Sequence, residues 1–392
     1  MYNGTGDESG LGVDTSDDKT IVFNLKEPCA YFEQLFVLPV YMPTHRELQT
    51  ETNGDWAMGN DMDALVSCGP YYLAEYVPNQ YSVYKKNENY VQADRIKTDT
   101  IKKMVMDDTQ SIINAYKSGE LNFISVDYTV MDEYKDSDEL ITSPAMTSYY
   151  VLFNVNEAPF DDVRVRQAFS MAVNRDEVAS ACGSSYEASD FFVAKHLKSS
   201  ASGKDWAEEA EEDPIGFDPD KAKELLADAG YADGFDLEIT VPSSYSQHVD
   251  SAQIIADELS QVGINVTLNQ VEWSTWLQDV YKGGNFQATV IGFDGTLAPS
   301  DWLKKYVTDD AKNFMHYSNT EYDDVFNTAY TTVDDDVKVE NYKKAQMILA
   351  EDAAAVYIED PANLVAVSKK FGGYTFYPTA AEDMSLLYQV EQ

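Results

Sequence analysis

"DPDKAKELLADAGYADGFDLEITVPSSYSQHVDSAQIIADELSQVGINVTLNQVEWSTWLQDVYKGGNFQATVIGFDG", residues 218–295, switches between two periodicities. Ala222, Leu225, Leu226 and Ala229 recur at helical spacing, behind Asp218 as a cap and Pro219 at the first helical position. Gly230 ends that helix. Phe235, Leu237, Ile239 and Val241 then alternate as a strand that Pro242 stops. The cycle repeats with a helix on Val249, Ala252, Ala256 and Leu259, a stop at Gly263, and a strand through Ile264, Val266 and Leu268. Trp273, Trp276, Leu277 and Val280 mark a third helix, closed by Gly283 and Gly284, and Phe286 to Phe293 is an almost continuous apolar strand. Strands separated by helices predict a parallel sheet covered on both faces, an α/β architecture. Ligands of such sheets sit beyond the carboxyl ends of the strands. The last strand runs directly into Asp294, Gly295 and Thr296, which become candidate site residues. Trp276 is assigned to the core, whereas Trp273, close to the carboxyl end of the middle strand, suits either core or site.

Upstream, "YYVLFNVNEAPFDDVRVRQAFSMAVNR", residues 149–175, reads as a strand, a break at Pro159, and a helix. Asp161 or Asp162 caps it, and Val165, Ala168, Phe169 and Ala172 face a core. Residues 67–90 read as a hairpin turning at Pro78, Asn79 and Gln80. Ile101 to Met106, a helix capped by Asp107 or Asp108 and stopped at Gly119, and the strand "LNFISV" predict a βαβ unit. Thr20 to Leu25 alternates as a strand, Cys29 to Leu38 reads as a short helix, and Asp7 to Lys19 as a loop lead-in.

The 392 residues allow two domains with sizeable cores. There are 68 acidic residues against 28 basic ones, a formal net charge of -40. That balance repels nucleic acid and anionic membrane surfaces, so neither is an expected partner. Cys29, Cys68 and Cys182 allow at most one internal disulfide and contain no CxxC. No Walker A loop, nucleophile elbow or HExxH is present. His45, His196, His248 and His316 are far apart in sequence, without ligand spacing, and read as surface or internally satisfied histidines. Adjacent acids at 107–108, 161–162, 323–324 and 334–336 precede or open helical patterns and read as caps and first-turn dipole partners, not as acid/base pairs. No catalytic residue, metal site or cofactor is expected. The polar, acidic N-terminus has no basic segment followed by an apolar one, so no signal peptide is read there.

"FNVNEAPFDDVRVRQAFSMAVNRDEV" resembles the signature of the family 5 extracellular solute-binding proteins, the oligopeptide- and dipeptide-binding components of ABC importers. "SCGPYYLAEYVPNQYSVYKKNENY", "IINAYKSGELNFI", "DPDKAKELLADAGY", "DELSQVGINVTLNQVEWSTWL" and "GGYTFYP" follow in that family's order, so the resemblance spans residue 20 to the C-terminus. It implies a two-lobed, class II periplasmic-binding-protein-like fold. Residues 1–148 plus 361–392 would form a partial lobe I, an incomplete first lobe, and residues 149–360 lobe II. The function implied is non-enzymatic capture of a peptide between the lobes and delivery to ABC permease subunits by a monomer at the cell exterior, cell surface or periplasm. Binding of another solute such as an oligosaccharide or a metal chelate, a peptide-sensing or non-binding shortened form, and a hydrolase built on Asp294 and Asp301 are the alternatives. In peptide-binding relatives an aromatic at the strand end is followed three residues later by an Asp that pairs with the ligand's α-amino group. The matching positions here are Phe293 and Thr296, with Asp294 one residue after the aromatic, so either Asp294 takes that role or the anchor is lost. Trp273 matches the family tryptophan that lines side-chain pockets. Basic positions that fix short-peptide length in some relatives fall near Val280 and Val290, which are apolar. The resemblance also places the backbone of Phe293 to Gly295 against the peptide main chain, in the manner of strand addition.

Overall fold

A computed structural model describes residues 12–26, 32–37, 41–51, 65–126, 128–183, 185–189, 191–199, 201–209, 213–295, 298–377 and 381–390. The chain opens with a hairpin, β1 (Val13–Asp17) and β2 (Thr20–Phe23), of which only Phe23 is not fully exposed. A short helix, α1 (Arg46–Glu51), follows. A three-stranded antiparallel sheet of β3 (Tyr71–Val77), β4 (Tyr81–Lys86) and β5 (Thr100–Met104) comes next. Its first turn is centred on Asn79, which adopts φ +58°, a left-handed conformation that asparagine tolerates well. Helix α2 (Thr109–Ser118) starts where the Asp108 carboxylate accepts from Ser111 N–H at 2.8 Å, and it stops at Gly119, φ +82°. Strands β6 (Phe123–Ser125) and β7 (Leu140–Pro144) then lead to β8 (Thr147–Phe153).

The second half builds the main sheet. Asp162 caps α3 (Val163–Ala172) by accepting from Arg164 N–H, and Asn174 caps α4 (Arg175–Cys182). A short β9 (Tyr186–Ala188) and α5 (Trp206–Glu209) intervene. Then come α6 (Pro219–Asp228), β10 (Phe235–Pro242), α7 (Ser246–Ser260), β11 (Ile264–Val271), α8 (Trp273–Trp276) with a π-helical continuation through Lys282, and β12 (Ala288–Asp294). Helices α9 (Ser300–Leu303), α10 (Thr320–Thr331) and α11 (Asp335–Glu351) precede the long strand β13 (Ala355–Val367). The strand order is β11-β10-β12-β8-β13. β10, β11 and β12 are mutually parallel, as their periodicity predicts. β8 inserts antiparallel between β12 and β13, so the sheet is mixed.

Alternation places the strands in two cores. Val151, Phe153, Ala288, Val290, Val356 and Ile358 face α3, α6 and α7 through Phe169, Leu226 and Ile255. Tyr150, Leu152, Ile291, Ala355 and Tyr357 face the opposite side, against Trp276, Trp302, Tyr306 and Tyr322. A strand buried on both faces carries apolar residues at every position, which explains the unbroken "YYVLF" and "AVYI". A third, smaller core joins Ile113 and Tyr116 of α2 to Ile124, Leu364 and Ala366.

Four sequence expectations change. The predicted βαβ unit does not form: β5 pairs antiparallel with β4, whereas β6 pairs with β13 in the main sheet. β5 already has a partner, and Ile124 completes the third core only beside β13. Residues 13–17 form a strand where a loop lead-in was expected, because they pair with β2. The short helix at residues 29–38 is a 3₁₀ helix over Phe32–Val37, and its flanks, Cys29 included, lie outside the described residues. The helix begun by Trp273 is a single α turn followed by a π turn, which keeps both Trp276 and Val280 buried.

Phe153 is fully buried, with Phe160 at 4.4 Å and Phe169 at 5.0 Å between ring centroids. Phe153→Ala is expected to cost about 3–5 kcal/mol in urea unfolding. A cost below about 1 kcal/mol would show that this core relaxes around the missing ring.

Candidate functional site

The carboxyl ends of β10, β11 and β12 lie on one rim of the sheet, together with the start of antiparallel β8. The register pairs Pro242 with Val271 and Asp294 with Thr147. β10 leaves β12 after Thr240 pairs with Thr289, so among the described residues the outer half of β12, residues 290–294, has β8 as its only strand partner. His248 of α7 reaches into the gap, where its Nε2 accepts from the Gly292 N–H at 3.0 Å. An accepting imidazole must be neutral, and burial pushes the His248 pKa down to about 4. The ring is held between Tyr149 at 5.0 Å and Tyr245 at 5.1 Å. Sequence reading classed His248 as surface or satisfied; it is buried and is part of the rim.

Trp273 stands at this rim, 36% exposed. It stacks on Trp276 at 5.2 Å with the ring planes 4° apart, and Tyr245 meets its edge at 5.6 Å. Trp276 is itself anchored: its indole N–H donates to the Thr289 hydroxyl at 2.9 Å, which donates to the Thr240 carbonyl at 2.6 Å. The sheet thus fixes the buried tryptophan, and the buried tryptophan presents the exposed one.

Phe293 packs against the core beside Tyr150 and Phe314. Asp294 alternates to the exposed side and accepts from the Thr147 hydroxyl at 2.6 Å. Gly295 donates its N–H to the Met146 carbonyl at 2.8 Å, which continues the β8 pairing past the strand end. A Cβ at Gly295 would stand 2.3 Å from the Trp302 ring, so only glycine fits between strand end and indole. Thr296 lies outside the described residues. The structure therefore brings Phe293, Asp294, Gly295 and Trp273 to one rim.

Two acids that sequence reading passed over sit where β13 changes partners. β13 pairs with β8 and β9 up to Pro361, and with β7 and β6 from Ala362 onward. Glu359, at a bulge in the β8 pairing, accepts from the Ser251 hydroxyl at 2.6 Å. Asp360 accepts from the Ser189 hydroxyl at 2.7 Å and the Lys195 N–H at 2.9 Å. Both side chains are buried, and burial raises their pKa values to about 7 and about 6. Their signal in the sequence was two acids inside the apolar run "AVYIEDPANLVAV". Among the described residues, no group of three or more His, Cys, Asp or Glu side chains is placed to hold a metal ion. Cys182 and Cys68 are free thiols. A separate cavity of about 310 Å³, lined by Asp138, Glu139, Val367, Lys369 and Tyr374, lies beside the far half of β13. There Lys369 pairs with Asp138 at 3.1 Å, and Glu139 accepts from the Tyr116 hydroxyl and the Lys369 backbone N–H.

Residues 1–315 match the family model for the middle region of bacterial extracellular solute-binding proteins, family 5. The chain belongs to this family. The solute-binding protein is 27% identical over 361 residues to the dipeptide-binding protein DppE of Bacillus subtilis (strain 168), covering 91% of this chain and 66% of DppE. It is 26% identical to the periplasmic oligopeptide-binding protein OppA of Salmonella typhimurium, covering 93% of this chain and 67% of that one. The solute-binding protein thus spans about two thirds of the length of these relatives. Its fold superposes with a TM-score of 0.79 on Haemophilus influenzae OppA in complex with the peptide RPPGFSPFR, at 20% identity, over 99% of this chain and 77% of that one. The fold is therefore the two-lobed class II periplasmic-binding-protein-like one. No helix among the described residues is long and apolar enough to cross a membrane.

Glu359 has a folded pKa above its ordinary value, so its contribution to stability is full below about pH 4.5 and is lost as pH rises through about 7. Glu359→Gln removes this dependence. The stability of the variant relative to wild type should climb between about pH 4.5 and 7, by on the order of 3 kcal/mol. His248 acts in the opposite sense in the same window, so the difference between the two proteins in denaturant unfolding is the quantity to read. A pH-independent difference would remove the buried-acid account.

Proposed function

We propose that this chain captures peptides at the rim formed by Trp273, Phe293, Asp294 and Gly295, and hands them to the permease subunits of an ABC importer at the outer face of the cell. The observation that carries the reading is the half-free edge of β12. Backbone groups alternate along a strand. The Gly295 N–H points to β8 and the Gly292 N–H points away, so the main-chain groups of Asp294 also face away from β8. An extended peptide can add to that edge through main-chain hydrogen bonds that do not read its sequence. The exposed Trp273 offers a ring for its side chains, and the exposed Asp294 carboxylate a partner for its α-ammonium group. Membership in a solute-binding family and similarity to proteins named for dipeptide and oligopeptide binding support this reading. The role is binding and not catalysis.

The lobes in this proposal are residues 1–148 plus 361–392 and residues 149–360. Support comes from the change of partners in β13 at residues 361–362 and the passage of β7 into β8 through Ala145 and Met146. Bending at two neighbouring strands is a common means of closing domains over a ligand. The rim residues lie beside those strands, Gly295 being hydrogen-bonded to Met146 itself.

Titration with a mixed oligopeptide pool should give a saturable change in tryptophan fluorescence, reported by Trp273. Saturable binding of sugars alone, or turnover of the ligand, would overturn the assignment. Asp294→Ala should weaken free-amine peptides roughly 10- to 100-fold while leaving N-acetylated ones little changed. Equal losses for both would remove the ammonium-partner role.

A further inference from the structure

Behind the rim lies a cation that the peptide reading leaves unused. Lys305 is 4% exposed. Its ammonium sits 3.7 Å from the centroid of the Phe293 ring and 5.9 Å from that of Tyr150. No described carboxylate oxygen comes within 4.0 Å of it, and it donates no hydrogen bond to a described residue. Three residues earlier on the same helical stretch, Trp302 is 1% exposed and its indole N–H has no hydrogen-bond partner. The two side chains flank one segment: Lys305 lies against Phe293, and the Trp302 ring fills the space beside Gly295. A buried ammonium without an anion and a buried N–H without an acceptor are both costly. Ring faces offset part of the first cost and none of the second.

We propose that Lys305 and the indole N–H of Trp302 form a subsite for a carboxylate of the bound ligand, behind the partly buried Phe293 ring. This rests on the reading of the rim as the ligand site and adds a ligand class, peptides whose carboxylate reaches the second residue group behind the strand end. A carboxylate there supplies the missing anion and the missing acceptor at once. It also meets an electrostatic need. In a chain of net charge -40, an anionic ligand group gains most from a cation in a low-dielectric position. The groups around the ammonium are consistent with its vacancy for a partner. Asp301 and Asp294 favour its charge, Lys312 opposes it, Tyr150 and Phe293 present ring faces, and burial prevails, taking the pKa down to about 7.

The carboxylate can be the ligand's C-terminus or an acidic side chain, and three tripeptides separate the sources: Ala-Gln-Ala amide, Ala-Gln-Ala acid and Ala-Glu-Ala amide. In calorimetry, at least one carboxylate-bearing peptide should bind about tenfold or more tighter than the neutral amide, and Lys305→Met should abolish that preference. Tighter binding of the second peptide identifies the C-terminus, of the third the side chain. Near pH 7, binding of the preferred peptide should take up a fraction of a proton, read from buffers of different ionisation enthalpy, and Lys305→Met should remove the uptake. The variant should fold, since methionine fills the site without a buried charge. Equal affinities for all three peptides, or a preference that survives Lys305→Met, would overturn the subsite while leaving peptide capture standing. Failure of all three and of the oligopeptide pool would overturn both readings.

Discussion

Strand β13 must satisfy two sets of neighbours at once. Its first half closes the main sheet beside β8, and its second half supplies Leu364 and Ala366 to a separate core with α2 and β6. Nearly every residue in the first half is buried on one face or the other, so the strand cannot shift register without moving an apolar set into the wrong core. In the proposed division into lobes, this strand and the short passage between β7 and β8 are where the chain crosses from one to the other. Two carboxyl groups, Glu359 and Asp360, stand at the point where it changes partners. Their burial is tolerated because a hydroxyl donates to Glu359, a hydroxyl and a backbone N–H donate to Asp360, and both carry their protons to higher pH than ordinary carboxyls.

The rim beside that strand is assembled from groups whose ordinary behaviour is altered by burial. His248 gives up its charge to accept a backbone N–H where β10 has turned away. Trp276 is tied to the sheet through two hydroxyl-mediated hydrogen bonds, and Trp273 rests on it in parallel. Gly295 is small because the Trp302 ring occupies the space its side chain would need. These contacts fix the strand end, and a binding rim fixed in advance, as proposed here, loses little freedom when a ligand docks. Beyond Gly292, whose N–H His248 takes, the edge of β12 has no strand partner on that side among the described residues, and Asp294 there is exposed with the Thr147 hydroxyl on its carboxylate.

The parts of the fold governed by local periodicity were legible in the sequence. The helices at residues 219–228 and 246–260, the parallel strands β10, β11 and β12, and the cap at Asp218 follow from spacing and capping chemistry alone, which left two other caps open between adjacent acids, Asp107 or Asp108 and Asp161 or Asp162. The βαβ reading around α2 failed because local pattern names the elements but not their partners: β5 was taken by the preceding hairpin and β6 by a strand some 240 residues later. Of the candidate site, Trp273 and Phe293 to Gly295 were picked out by their place after strands and by family resemblance, and the structure places them on one rim. His248, Glu359 and Lys305 were not. Their roles depend on burial and on gaps between elements, which a histidine, an acid or a lysine in isolation does not reveal. The acids in "YIEDP" did leave a trace, as charges in a run otherwise fit for a buried strand.

If two strands alone carry the chain between its halves, and the rim lies beside them, ligand capture has to bring the halves together. Small-angle X-ray scattering of the purified chain, with and without a saturating oligopeptide pool, tests this directly. The account predicts a fall in the radius of gyration that saturates with the fluorescence titration. Saturable binding with an unchanged radius of gyration would contradict closure about β13 and the passage from β7 to β8.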